Sequence, residues 1–132
     1  MWKSNDTEDG VTTKAQCTSR LAAVGDALYA IGGKWKLRII IALMEGGQRF
    51  NELQRMVEGI SAKVLSNELK ELELNGFVKR HVDTNTPVVV TYELTEYSAT
   101  LQDVLQALSE WGAMHRKRVK RSMTKQEAVA TE

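Results

Sequence analysis

The sequence predicts a mainly α-helical fold with one small β-hairpin, an α+β domain, and three features of the 132-residue chain support this prediction. Apolar residues recur at helical spacings of three and four over most of the chain. Glycines separate these helical segments, as is common at helix ends. Between residues 77 and 94 the pattern changes, and two segments that contain β-branched residues flank a turn-forming stretch.

Composition and charge describe one ordinary globular domain. Hydrophobic residues make up 42% and charged residues 27% of the chain, and the net charge is +1. The predicted organisation is a flexible lead over residues 1–17, a domain over 18–123 and a frayed tail over 124–132. The chain's start lacks the apolar core of a signal peptide, and its longest aliphatic run, residues 39–44, is too short to span a bilayer. We therefore expect a cytoplasmic protein with no membrane partner.

Two helices are predicted before residue 46. Thr18 or Ser19 can cap the first, and the glycine pair at 32–33 ends it. The second runs from about Lys34 to Glu45. The apolar positions available for burial are Leu21, Val24, Leu28 and Ile31 in the first helix and Trp35, Leu37, Ile40, Ile41 and Met44 in the second.

A helix-turn-helix is predicted next. Asn51 is the expected N-cap of a short third helix, which Gly59 ends. Ser61 is the expected N-cap of a fourth helix, Ala62 to Asn75, whose leucines are spaced by four and three residues. Two helices joined by a short turn with a capping serine have the form of a helix-turn-helix.

A hairpin and a long helix follow. Strands at 77–82 and 88–94 flank the turn at 83–87, and Thr95 is expected to cap a final helix that reaches about Arg121. This order of elements is the plan of a winged helix-turn-helix, in which the fourth helix can enter a major groove and the hairpin forms the wing.

The fourth helix carries the side chains expected to contact DNA, on the face opposite its leucines. Lysine and serine can contact phosphates, and asparagine can pair with adenine. Glu68 and Glu71 lie on the helix flanks, where we expect them to pair with basic residues. A solvated amphipathic helix without any ligand fits the same spacing equally well. The candidate DNA contacts are Ser61, Lys63, Ser66, Asn67 and Lys70.

Further candidate DNA contacts lie outside this helix. Arg49 precedes the third helix and can reach the DNA backbone. Lys79 and His81 share one face of the first strand because side chains alternate along a strand, and Asn85 lies in the turn. A hairpin edge protected by charge explains the same residues without DNA.

Apolar stripes on the first and last helices predict a two-fold dimer. Pairing across these terminal helices places two recognition helices about one DNA turn apart. Packing of the last helix on its own domain is the alternative. The basic cluster at 116–121 is interpreted as a solvated helix end, which suits the helix dipole. The residues expected at the interface are Leu21, Val24, Leu28, Leu101, Val104, Leu105, Leu108 and Trp111.

Neither catalysis nor a cofactor is predicted. His81 and His115 are the only histidines, they lack metal-ligand spacing, and no nucleophile, phosphate-loop or dinucleotide motif occurs. Cys17 is the only cysteine, which excludes an intrachain disulfide and a cysteine zinc site. Its thiol is interpreted as a bystander. We expect no enzyme, no metal and no cofactor.

Six short motifs occur in order: IGGKW at 31–35, RFNEL at 49–53, GISAKVLS at 59–66, LKELE at 69–73, VTYELT at 90–95 and EWG at 110–112. With these motifs and Gly76, the chain from about Leu28 to Trp111 resembles the HxlR-type family of bacterial winged-helix regulators. The resemblance implies a DNA-binding dimer, formed through the terminal helices, that represses or activates transcription.

The resemblance also implies residue roles. It places Ser61, Lys63, Ser66 and Lys70 on the recognition helix and makes Trp35, Phe50, Leu53, Leu65, Leu69 and Leu72 structural. Two positions depart from the family pattern. Ala22 stands where many members have a cysteine, so a thiol switch does not carry over to Cys17. Ser98 stands where glycine is usual, which we expect to alter only local packing.

The sequence therefore predicts a sequence-specific regulator that binds double-stranded DNA as a homodimer. The sequence leaves open whether an unidentified small-molecule effector binds between the terminal helices and the winged domain. The alternative is a protein-interaction adaptor on the same scaffold, because fold does not fix function. Salt dependence separates the two, since DNA binding weakens steeply as salt is added.

Overall fold

The computed structural model describes residues 13–130 of the chain, with side chains as far as residue 126. The mainly helical α+β architecture predicted from the sequence is confirmed. The helices are α1 (Lys14–Ile31), α2 (Lys36–Leu43), α3 (Phe50–Met56), α4 (Ala62–Leu74) and α5 (Gln102–Ala130), with a 3-10 helix at Glu96–Leu101. The strands are β1 (Gln48–Arg49), β2 (Val78–Asp83) and β3 (Val89–Leu94).

The three strands form one antiparallel sheet in the order β1-β3-β2. β2 and β3 pair along their full length, with Lys79 opposite Glu93 and His81 opposite Thr91. β1 adds the third strand by pairing Gln48 with Tyr92. Two residues are too few to show an alternating pattern, so the sequence did not predict β1.

One hydrophobic core joins α2, α3, α4, β2 and the start of α5. The leucine face of α4 is buried as predicted, and α3 adds Leu53 to it. Burial of these side chains is what orients the opposite face of α4 outward. The largest fully buried side chains are Ile39, Ile40, Leu43, Leu53, Leu65, Leu69 and Leu72.

Of the positions predicted for burial in this segment, Ile40 is buried and Trp35 and Leu37 are partly buried against the core, but two predictions are wrong. Ile41 and Met44, expected in the core, are about half exposed, whereas Ile39 and Leu43 are buried. The buried positions follow helical spacing but begin at Lys36, which is also buried. A lysine at the start of the buried face could not be recognised from hydrophobicity alone.

Two predicted helix starts are corrected. α1 begins at Lys14, not after Thr18 or Ser19, so residues 14–17 belong to it; the rest of the expected flexible lead lies outside the described residues. Thr13 is its N-cap: its hydroxyl accepts a hydrogen bond from Gln16 N–H at 3.1 Å, and Gln16 Oε1 accepts one from Thr13 N–H at 2.9 Å. α3 begins one residue before Asn51, with Arg49 in the cap position.

The last helix also differs at both ends. Thr95 precedes a 3-10 helix, and α5 starts only at Gln102. α5 then continues past Arg121 to Ala130, so the tail expected to fray from Thr124 is helical in the described residues. No helix in the described range 13–130 has the length and apolar content needed to cross a membrane.

One turn and two hydrogen bonds fix the hairpin against α4. Gly76 ends α4 with a φ of 82°, a left-handed conformation that glycine adopts most readily. Its carbonyl accepts a hydrogen bond from the Thr95 hydroxyl at 2.5 Å, and Thr95 N–H donates to the Phe77 carbonyl at 3.1 Å. The end of β3 is thereby tied to the end of α4, which positions the wing relative to that helix.

Candidate nucleic-acid interface

The turn between α3 and α4 contains the features that the sequence predicted. Gly59 has a φ of 89°, and Ser61 is the N-cap of α4. Val64 N–H donates to Ser61 Oγ at 3.2 Å. The capping bond uses the hydroxyl as an acceptor, so its hydrogen remains available to donate to a phosphate.

The outward face of α4 collects the other predicted contacts of this helix. Lys63, Asn67 and Lys70 are exposed, and Ser66 is half-buried. The two lysines lie seven residues apart, two turns of the helix, and Asn67 lies between them. The structure thus brings two cations and an amide together on a surface that faces away from the core.

The two glutamates on the flank of α4 pair with a basic residue, as predicted. Lys36 Nζ on α2 lies 2.8 Å from Glu68 Oε2 and 2.6 Å from Glu71 Oε2. Burial alone lowers the pKa of Lys36, but the hydrogen bonds and negative charges of the two glutamates outweigh it, so its pKa lies above the ordinary 10.5. The lysine is therefore charged at neutral pH, and the sequence did not identify it as the partner.

A cavity at the start of α3 adds a basic residue that the sequence reasoning missed. Arg49 and Arg55 both line this open cavity of about 530 Å³, together with Asn51 and Thr91 of β3. The carboxylate of Glu52, also at its wall, accepts a hydrogen bond from Arg49 N–H at 2.9 Å. Two guanidinium groups at one cavity suit a phosphate. The cavity forms where the pairing of β1 with β3 brings Thr91 beside α3. Because this contact is long-range, no local sequence signal marked Arg55 as part of the site.

The hairpin exposes its three predicted contacts, but the charge of one of them is partly offset. Lys79, His81 and Asn85 are all exposed. Lys79 Nζ lies 3.7 Å from Glu93 Oε1 on the paired strand, so its charge is partly offset. At the tip, Asn85 N–H donates to Asp83 Oδ1 at 3.0 Å, which closes an Asx turn and leaves the Asn85 side chain exposed.

Six of the eight predicted interface residues are exposed on the terminal helices. On α5 the Trp111 ring, 59% exposed as a residue, stacks on His115 with ring centroids 4.9 Å apart. Ile31 is the only buried residue of α1. The six are Leu21, Val24 and Leu28 on α1 and Val104, Leu108 and Trp111 on α5.

The other two predicted interface residues need correction. Leu101 and Leu105 are buried in the core of their own chain. Helical spacing placed them on one stripe with Leu108, but α5 begins later than predicted, and its first turns pack against α2 and the 3-10 helix region. The alternative of packing within the domain holds for these two leucines.

An open groove of about 500 Å³ lies between α2 and α5. Its wall is mainly apolar, with Leu37 and Ile41 on α2 and Leu108 on α5, and Arg38 and Arg116 also line it. This is the place where the sequence suggested an effector, between a terminal helix and the winged domain. An occupant of the groove would touch both parts of the molecule.

The described residues offer no arrangement for metal binding. Among the residues from 13 onward whose side chains the structure describes, no three histidine, cysteine, aspartate or glutamate side chains are placed to hold a metal ion. Cys17 is a free, exposed thiol on α1.

Comparison with known proteins identifies the family. The profile of the HxlR-like helix-turn-helix family matches residues 30–120. The HTH-type transcriptional regulator YtcD of Bacillus subtilis (strain 168) is 42% identical over 97 residues, which are 74% of this chain and 77% of YtcD. The regulator BH0655 of Halalkalibacterium halodurans is 47% identical over 89 residues, 67% of this chain and 79% of that one.

A solved structure agrees with these relatives. The redox regulator HypR in its reduced form is 36% identical and superposes with a TM-score of 0.70, covering 75% of this chain and 98% of HypR. The protein is a transcriptional regulator of the helix-turn-helix type with a winged-helix fold, and such regulators are not enzymes. The chain belongs to the HxlR-like helix-turn-helix family.

Proposed function

We propose that the protein binds a specific sequence of double-stranded DNA as a homodimer in the cytoplasm and thereby represses or activates transcription. The observation that carries this proposal is the construction of α4. Its leucine face is buried, its lysines and Asn67 face outward, and Lys36 pairs with the carboxylates of Glu68 and Glu71 on its flank and offsets part of their negative charge.

In this proposal α4 is the recognition helix. Lys63, Ser66, Asn67 and Lys70 enter the major groove, where lysine can donate to guanine and asparagine can pair with adenine. Ser61 lies at the N-terminus of α4, where the free N–H groups and the helix dipole favour a phosphate.

Arginines and the wing would fix the register on the duplex. Arg49 and Arg55 line one cavity, and their guanidinium groups would hold a backbone phosphate on one side of α4. On the other side of α4, the exposed hairpin residues Lys79, His81 and Asn85 would contact the DNA backbone or the adjacent minor groove. Such contacts position the protein without reading its sequence.

The homodimer is supported by the exposed stripes of the terminal helices. Most helical stability in proteins comes from tertiary packing, yet only Ile31 of the 18-residue helix α1 is buried within its own chain. An exposed apolar patch on a folded chain marks an interaction site. A partner is therefore expected to cover Leu21, Val24 and Leu28 on α1 and the α5 stripe, which consists of Val104, Leu108 and Trp111. A second copy supplies both stripes, and two-fold pairing presents two recognition helices.

Replacing Lys70 with alanine tests the assignment of α4. We expect Lys70→Ala to lower affinity for the specific duplex by about 1–3 kcal/mol and to relax the base preference at one position of each half-site. Fluorescence anisotropy with the specific duplex and its single-base variants measures both quantities. Lys125→Ala, which removes an exposed lysine far along α5, is the matched control and should bind like the wild type. Unchanged affinity together with unchanged base preference in Lys70→Ala would refute the assignment.

A further inference from the structure

A buried cation connects α2 to the acidic flank of α4. Lys36 is the first residue of α2 and is only 9% exposed. Its ammonium bridges Glu68 and Glu71, one turn apart on α4, at 2.8 and 2.6 Å. Both distances lie well within the range of an ion pair. Three charged side chains from two helices therefore meet in this cluster.

The position of the two glutamates gives this cluster a consequence for DNA binding. Glu71 lies four residues after Asn67, so the two side chains are neighbours on the surface of α4. Glu71 also keeps a side chain that is 57% exposed, whereas that of Glu68 is 21% exposed. Without a counter-charge, both carboxylates would lie beside the face that we assign to the major groove, and they would repel phosphates.

We propose that Lys36 is a positioning residue for DNA binding, which holds α4 against α2 and offsets part of the negative charge of Glu68 and Glu71 beside the DNA-facing surface. This inference rests on the proposed function of α4. The affinity for DNA then depends also on a residue of α2, whose side chain is turned away from DNA. The raised pKa of Lys36 is consistent with it, because the ammonium then stays charged throughout the pH range in which the protein would bind DNA.

Two effects follow from loss of the Lys36 charge. A buried or half-buried carboxylate that loses its partner destabilises the local structure, whereas removal of all the charges together is often tolerated. An unpaired Glu71 also repels the duplex, and this repulsion weakens when salt screens it. The second effect separates a role in DNA binding from a purely structural one.

The experiment compares four proteins by anisotropy on the specific duplex at low and at high salt. These are the wild type, Lys36→Met, the triple variant Lys36→Met/Glu68→Gln/Glu71→Gln, and the control Arg38→Met, which removes an exposed cation two residues further along α2. We expect Lys36→Met to bind about tenfold more weakly at low salt, with a smaller deficit at high salt. The affinity of the triple variant should return to within about threefold of that of the wild type. The affinity of Arg38→Met should equal that of the wild type.

The outcomes are distinct. If the wild type binds and Lys36→Met binds equally well, or if the triple variant binds as weakly as Lys36→Met, the inference is overturned while the proposed function stands. If the wild type binds no duplex, both are overturned. If circular dichroism shows that Lys36→Met is unfolded, the double variant Lys36→Met/Glu68→Gln takes its place in the comparison with the triple variant. The double variant keeps only Glu71, the more exposed of the two carboxylates. Equal binding by those two proteins at low salt also overturns the inference.

Discussion

Trp111→Asp should convert the homodimer into monomers and weaken binding to a two-half-site operator by about 100-fold. Trp111 is 59% exposed in the single chain and lies on the α5 stripe with Val104 and Leu108. In the proposed dimer the stripe is buried, and an aspartate there would place an unpaired charge in an apolar interface. Loss of the dimer removes the coupling between two half-sites, so each recognition helix then binds alone. Sedimentation equilibrium measures the first effect and anisotropy the second.

Gln106→Asp is the control for this substitution. It introduces the same side chain into the same helix, on the side away from Trp111. There it removes the exposed hydrogen bond from Gln106 to Glu110 and adds a like charge one turn before Glu110, a small cost at an exposed site. This variant should remain dimeric and bind DNA. Leu105→Asp is unsuitable for the purpose, because Leu105 belongs to the core of its own chain and its loss would unfold the protein. A dimer that survives Trp111→Asp unchanged would show that the α5 stripe is not the interface.

Leu69→Ala should lower the free energy of unfolding by about 2–5 kcal/mol. Leu69 is 1% exposed and lies at the centre of the buried face of α4. Its truncation leaves a cavity in a core to which α2, α3 and β2 also contribute, so the surrounding helices can collapse only partly. Urea denaturation followed by circular dichroism gives the change.

Leu74→Ala is the matched comparison, since it makes the same chemical change in the same helix. Leu74 is 86% exposed, and its truncation should alter stability by less than about 0.5 kcal/mol. Similar losses in the two variants would mean that α4 packs on a different face. The assignment of Lys63, Asn67 and Lys70 to the DNA side would then fail as well.

The sequence determined α4 better than any other element. Its leucines repeat at helical spacing, Ser61 supplies the cap and Gly76 the end, so the buried face and the outward face followed together. The pairing of Glu68 and Glu71 with a basic residue was also predicted, although the partner was not. No local sequence pattern indicates that Lys36 is buried. Only the packing of α2 on α4 brings its ammonium to both carboxylates.

Errors arose where tertiary contacts override local pattern. Leu105 shares helical spacing with Leu108, and only the packing at the start of α5 shows that the first belongs to the core and the second to the surface. The two-residue strand β1 exists because β3 pairs with it, and Arg55 joins the candidate site through the cavity beside that pairing. Such long-range pairings leave no periodic signal in a single sequence.

Direct titration of DNA tests the central claim. Labelled duplexes that tile the DNA upstream of the protein's own gene would be followed by fluorescence anisotropy at two salt concentrations, with scrambled duplex as competitor. Tight binding to one tile that resists the competitor and weakens steeply with salt is the predicted result, because counterions are released as lysines and arginines contact phosphates. No duplex affinity for any tile, even at low salt, would contradict the account and favour a protein-interaction adaptor on the winged-helix scaffold.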